Sequence, residues 1–217
     1  MVGKVLHTLL LLATAAILVG CAVYPAVQVA GHAMTGYDAA VLVDDYLPRK
    51  NIEGGEQCAL DLDRMLERRL RERLRLKCRQ PVAAHVIDAN AYLVGPVRNR
   101  AQADHAIRTA ATVQGLKTIT CKFYHAPTTD QTLEGATLHE ELLSRLKETG
   151  WLESVDLRVE TVGTNAVFIG KTEDYRQKTQ ALAIASEVNG LTEVVDYISV
   201  REPLPGEQRH GDKLAAR

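Results

Sequence analysis

A chain of 217 residues that is 46% hydrophobic, 24% charged and 5% aromatic carries enough apolar matter for one large core or two small ones, which excludes wholesale disorder. A formal net charge of −1 argues against a general nucleic-acid binder, and four cysteines are too few for a disulfide-stapled miniprotein. The first stretch reads as an address. Lys4 is followed by an apolar run from Val5 to Val19, broken only by His7 and two threonines. That run is short for a membrane span and the right size for the apolar part of an export signal.

The run ends in Leu18-Val19-Gly20-Cys21, which resembles a bacterial lipobox. The resemblance implies that residues 1–20 are removed and that Cys21 carries the acyl chains. The apolar run alone also fits an ordinary export signal, or a short anchor with an incidental cysteine. Ala22, where an aspartate would retain such a protein in the inner membrane, implies the periplasmic face of the outer membrane. Residues 21–57 then read as a lipidated tether, in which Tyr37–Tyr46 suits a short helix or strand. Pro48 and Gly54-Gly55 punctuate its end.

Downstream, Leu62, Leu66, Leu70 and Leu74 form a helical stripe, and Val82–Ile87 is a weaker strand. Asn90–Val97 reads as a strand, Gln102–Val113 as an alanine-lined helix, and Thr118–Tyr124 as another strand. Residues 126–136, with Pro127, paired threonines and Gly135, read as a linker. The order then recurs: an amphipathic helix over Leu138–Glu148, alternation at Val155, Leu157, Val159 and Thr161, a strand at Asn165–Thr172, a helix at Gln177–Val188 and a strand at Glu193–Val200. Residues 202–217, with two prolines and mixed charge, read as a flexible tail.

The recurrence is also one of residues. At a fixed spacing of 75, Gly95 meets Gly170, Gln102 meets Gln177, Ala106 meets Ala181, Ala110 meets Ala185, and Val113, Gly115 and Leu116 meet Val188, Gly190 and Leu191. Two related units therefore occupy 58–125 and 137–201. Each reads as helix–strand–strand–helix–strand. The fold class expected is α+β: two tandem αββαβ units, each with two helices packed on a three-stranded mixed sheet. Gly115 and Gly190 stand where left-handed caps belong, and Gly95 and Gly170 end apolar strands, so all four read as structural.

This order resembles the BON domain. The second unit carries the pattern well, in Ala166-Val167-Phe168-Ile169-Gly170, Ala181, Ala185, Val188-Asn189-Gly190-Leu191 and Ile198-Ser199-Val200. The first unit diverges, with Cys121-Lys122 in its last strand. A lipobox followed by two such units is similar to the dual-BON outer-membrane lipoproteins of the DolP and OsmY kind. That resemblance implies a non-catalytic protein that binds phospholipid or envelope partners and supports envelope integrity.

No phosphate loop, zincin motif or serine elbow is present, and the seven histidines are scattered, so no cofactor, no metal and no catalysis are expected. The densest charge feature is 64–79, where Arg64, Arg68, Arg69, Arg71, Arg73, Arg75, Lys77 and Arg79 face only Glu67 and Glu72. Arg68, Arg71 and Arg75 suit anionic headgroups; a solvated face behind the leucine stripe is the other reading. Trp151 and Leu152, with Arg145 and Lys147 nearby, suit an interfacial anchor, or a plug for the small core. Cys58 and Cys78 lie at opposite ends of one helix, ~30 Å apart. Any intramolecular bridge in an oxidising compartment therefore uses Cys121, and Cys78–Cys121 is the expected pair. The expected partners are the membrane itself through Cys21, anionic phospholipid and envelope proteins, with nucleic acid excluded by export. A protein adaptor using exposed sheet faces or edges is the alternative.

Overall fold

The repeat becomes two matched layers of helix and sheet, as a computed structural model of the chain shows; it describes residues 36–42, 55–79, 81–150 and 155–201. The elements are β1 (Gly36–Leu42), α1 (Gly55–Lys77), β2 (Ala83–Ile87), β3 (Asn90–Val97), α2 (Arg100–Ala111), β4 (Thr118–His125), α3 (Thr129–Glu148), β5 (Asp156–Val162), β6 (Asn165–Thr172), α4 (Tyr175–Glu187) and β7 (Glu193–Val200). One sheet has the order β1-β4-β3-β2 and the other β5-β6-β7. Each combines an antiparallel hairpin (β2–β3, β5–β6) with a parallel pair (β3–β4, β6–β7) closed by a crossover helix.

The leucine stripe does what its spacing demands. Leu66, Leu70 and Leu74 are buried against Ala91, Leu93 and Phe123, while the alanines of α2 let that helix lie close beside them. In the second unit Leu138, Leu142 and Leu146 pack with Ala166, Phe168, Ala181 and Ala185. The crossover helices start alike: Asn99 and Asp174 cap α2 and α4 by accepting from the Gln102 and Gln177 amides, and those glutamines reach back to the Arg98 and Glu173 N–H groups. Gly115 and Gly190 hold φ of +97° and +104° in the turns that follow.

The opposite faces of the sheets pack on each other. Ile87, Val94 and Tyr124 of the first unit meet Val162, Val167 and Ile169 of the second, with Tyr92, Val195 and Tyr197 around them. The layers thus run helix, sheet, sheet, helix. Both faces of β3 and β6 are covered, which is why these strands read as nearly continuous apolar runs. The sheet faces proposed from sequence as adaptor surfaces are therefore consumed inside the molecule, and only sheet edges remain for that role.

Three expectations are corrected here. The first sheet has four strands, because β1, from the stretch read as tether, pairs antiparallel with β4 and lays Tyr37, Ala39 and Val41 on the first core. Helix α1 begins at Gly55, also inside that stretch. The linker at 126–136 is mostly helix: α3 starts at Thr129 behind a capping box of Thr128 and Gln131. Gly135 read as a breaker, yet it sits in the helix because its backbone touches the β5–β6 turn; a Cβ there would strike the Gly163 carbonyl. The leader, Cys21 and the tail lie outside the described residues.

Candidate functional site

Two polar regions stand out: the outer face of α1 and the seam between the sheets. On α1, the stripe fixes which side chains point away. Arg68, Arg69 and Arg75 point away from the stripe, Lys77 on the stripe's side is exposed at the helix end, and none of the four forms an ion pair among the described residues. Leu76, between the last two, is 65% exposed. Arg64 pairs with Asp61 at 3.4 Å. Arg73 donates to the Thr112 carbonyl and hydroxyl at the end of α2.

Arg71, grouped by sequence with the lipid-facing arginines, is exposed too, but its head group is already committed to protein partners. Its Nε donates to the Ala84 carbonyl at 2.8 Å and its Nη2 pairs with Glu67 at 2.8 Å. The long side chain finds a strand carbonyl and a carboxylate within reach, so its charge is already neutralised. Arg145 is similarly held by Glu141 at 2.7 Å on α3, whereas Lys147 is exposed. Trp151 and Leu152 lie outside the described residues. Beyond the end of α1, Val82, Val97 and Ala106 wall a cleft of about 370 Å³, with Lys77 and Arg79 on its rim.

The seam holds polar groups that composition and spacing did not single out. His85 is buried, its Nε2 2.7 Å from Glu160 Oε1 and its Nδ1 3.3 Å from Arg71 Nη2. A guanidinium only donates, so Nδ1 accepts and Nε2–H points at Glu160. His85 and Glu160 are the same position of the two repeats, 75 residues apart. Lys122, 4% exposed, lies in β4 between Asp38 of β1 at 3.0 Å and Glu193 of β7 at 2.9 Å. It ties the added strand, the first sheet and the second sheet together. A third tie, Lys171 to Asp88 at 3.0 Å, closes the rim. The one sequence hint was Cys121-Lys122, which breaks the repeat in an otherwise apolar strand.

The seam favours protonated forms. Burial would lower the Lys122 pKa, but its hydrogen bonds to Glu193 and Asp38 outweigh that and raise it. Burial, with the charge of Glu193 next, lifts Tyr124 well above the tyrosine range; burial, with Asp38 next, lifts Tyr197 likewise. On the other face of β4, in the first core, burial pushes the Cys121 thiol from 9.0 up to about 12. Each group binds its proton more tightly folded than unfolded, so its stabilisation is complete below its ordinary pKa and is lost as pH rises through the folded one. The melting temperature is therefore expected to be insensitive to these groups up to about pH 9 and to fall between about pH 9 and pH 12. Circular-dichroism melts across that range check it; a melting temperature that holds or rises above pH 10 would contradict the seam as described.

The expected Cys78–Cys121 bridge is not formed: Cys58, Cys78 and Cys121 are free thiols. Cys121 points at the other edge of its strand, where its Sγ donates to the Ala39 carbonyl of β1. Cys78 is occupied with Thr109, and burial raises its pKa. The strand that sequence left undecided thus supplies the acceptor that occupies the Cys121 thiol. Among the described residues no group of three His, Cys, Asp or Glu side chains is placed to hold a metal ion, and no helix is long and apolar enough to cross a membrane.

Residues 62–123 and 135–202 each match the BON domain, together more than half of the chain, and the chain belongs to the BON-domain family. No curated protein matches it. Among solved structures it is similar to the C-terminal domain of CdsD, the structural protein of the type III secretion system of Chlamydia trachomatis, at 11% identity and a TM-score of 0.28, covering 71% of this chain and 70% of that one. A second CdsD structure gives 11% identity, a TM-score of 0.29, and coverage of 77% and 71%.

Proposed function

We propose that this chain is a lipid-anchored, non-catalytic protein of the outer membrane's periplasmic face, which associates with phospholipid through the outer face of α1 and supports envelope integrity. The observation that carries the reading is the set of exposed cations at Arg68, Arg69, Arg75 and Lys77, without ion pairs among the described residues and flanking the exposed Leu76. Cations near an anionic surface contribute ~1 kcal/mol each, and an apolar tip among them adds interfacial contact. Acylation at Cys21 would hold the body close to the surface, so weak headgroup contacts become effective. The lipobox and the BON resemblance support the anchor and the envelope setting.

The test is vesicle co-sedimentation of residues 22–217, without acyl chains, on neutral and on anionic liposomes at low and high salt. Salt-sensitive binding to anionic vesicles alone is expected. Arg68→Gln, Arg69→Gln and Arg75→Gln together should weaken it about a hundredfold, with Arg71→Gln much milder because that charge is already paired. Trp151→Ala in the same assay decides whether the second unit contributes. Absence of binding to either vesicle type would sink the headgroup reading. The adaptor reading would then lead, confined to the sheet edges.

A further inference from the structure

The two repeats differ at one sheet edge, and the difference is built from side chains. β4 and β7 hold the same place in their units, beside β3 and β6. In the β6–β7 ladder Tyr197 stands opposite Ile169 and the Arg201 N–H reaches the Thr172 carbonyl. Odd-numbered residues of β7 therefore turn their backbone groups to β6, and even-numbered ones turn theirs outward. In β4 the Ala126 N–H reaches the Val97 carbonyl in the corresponding way, so Ile119, Cys121 and Phe123 turn outward. There they stand opposite Val41, Ala39 and Tyr37 of β1.

On β7 no strand occupies that edge among the described residues. Ile198, the counterpart of Phe123, instead has both outward groups taken by side chains. Its N–H donates to Asp196 Oδ1 at 2.8 Å, its carbonyl accepts from Lys178 Nζ at 2.7 Å, and Lys178 and Asp196 pair with each other at 2.7 Å. The counterparts of Lys178 and Asp196 in the first repeat are Ala103 and Cys121, which cannot form this bracket.

We propose that the β7 edge is a second acceptor for an extended strand, β1 of another copy of this chain, and that the Lys178–Asp196 bracket keeps it shut. The occupant follows from the repeat: the same slot in the first unit holds Gly36–Leu42, antiparallel, along the outward groups of β4. Lys122 adds the preference. Asp38 of the strand finds an ammonium on β4, whereas β7 presents Tyr197 at the corresponding position. One edge draws the strand with a cation; the other turns it away at Ile198, whose two outward groups are already bonded, a device that also works against edge-to-edge association of the chains.

The experiment titrates a fluorescein-labelled peptide of the Gly36–Leu42 sequence into the full-length chain in detergent, read by anisotropy. Compared are the native chain, Lys178→Ala, Asp196→Asn, the double variant Lys178→Ala with Asp196→Ala, and a chain lacking residues 36–42. The native chain should bind weakly, since β4 is filled and β7 shut. The double variant should bind at least about tenfold more tightly, and its light-scattering mass should rise with concentration. The strand-deleted chain should also bind, and lose that binding with Lys122→Met. Equal affinity for native and bracket variants would overturn the proposal, as would no gain in variants that circular dichroism shows to be folded. Failure of the strand-deleted chain to take the peptide would overturn it too, by removing the premise that these edges accept a strand in trans. The single variants keep the test intact should the double variant unfold.

Discussion

Lys122→Ala is expected to lower the unfolding free energy by about 2–3 kcal/mol. The ammonium is almost fully withdrawn from water, and its removal leaves two carboxylates facing a common gap in the seam. Breaking a wholly buried pair costs about 3–5 kcal/mol. The lower figure applies because the Asp38 and Glu193 side chains keep 24% and 27% of their exposure. Urea denaturation measures the loss, and limited proteolysis locates it, since cleavage should appear first upstream of α1 as β1 detaches. Lys122→Met should lose nearly as much, because the carboxylates remain. Adding Asp38→Asn and Glu193→Gln to it should restore much of the stability, as removing all three charges removes the mismatch. Unchanged stability in Lys122→Ala would show that the three segments are not tied through this residue.

Gly170→Ala carries the other large effect, about 3 kcal/mol, at the upper end of what overpacking usually costs. A Cβ at Gly170 would collide with the Asp156 carbonyl oxygen, stand 2.8 Å from Leu157 Cα and meet Leu157 Cδ1 at 3.0 Å. Most of that is the backbone of the neighbouring strand, and β5 cannot retreat without loosening its ladder to β6. The equivalent Gly95→Ala should cost less, about 1–2 kcal/mol. Its Cβ meets the Pro81 carbonyl at 2.8 Å, and Pro81 precedes β2, where the chain can shift. Thermal melts of the two variants side by side test the ordering. A Gly170→Ala protein as stable as the Gly95→Ala one would mean that β5 yields more easily than its pairing implies.

Periodicity told most about strands with clear turn residues at both ends. Asn90–Val97, Asn165–Thr172 and Glu193–Val200 match their strands residue for residue, because continuous or alternating apolar runs bounded by turn residues leave little choice of ends. β1 was harder to see. Its seven residues carry alternation at Tyr37, Ala39 and Val41, but what makes them a strand is the free edge of β4, some eighty residues on. The start of α3 had a legible signal in Thr128 and Gln131, masked by a glycine whose purpose is a contact with the β5–β6 turn. The basic face of α1 was plain as a run of arginines, yet which arginine is held by protein partners depends on where the Ala84 carbonyl and Glu67 lie. Of the Lys122 group only the break in the repeat at Cys121-Lys122 was visible; its partners, 84 and 71 residues away in sequence, were not.

The place of β1 also has a mechanical side. Tension arriving from upstream of Gly36 enters the body through a strand that is hydrogen-bonded along its length to β4 and pinned at Asp38 to Lys122. Lys122 passes part of that load to Glu193, in the other half of the molecule. A pull on the chain upstream of Gly36 is thus shared between both halves before any single strand can peel.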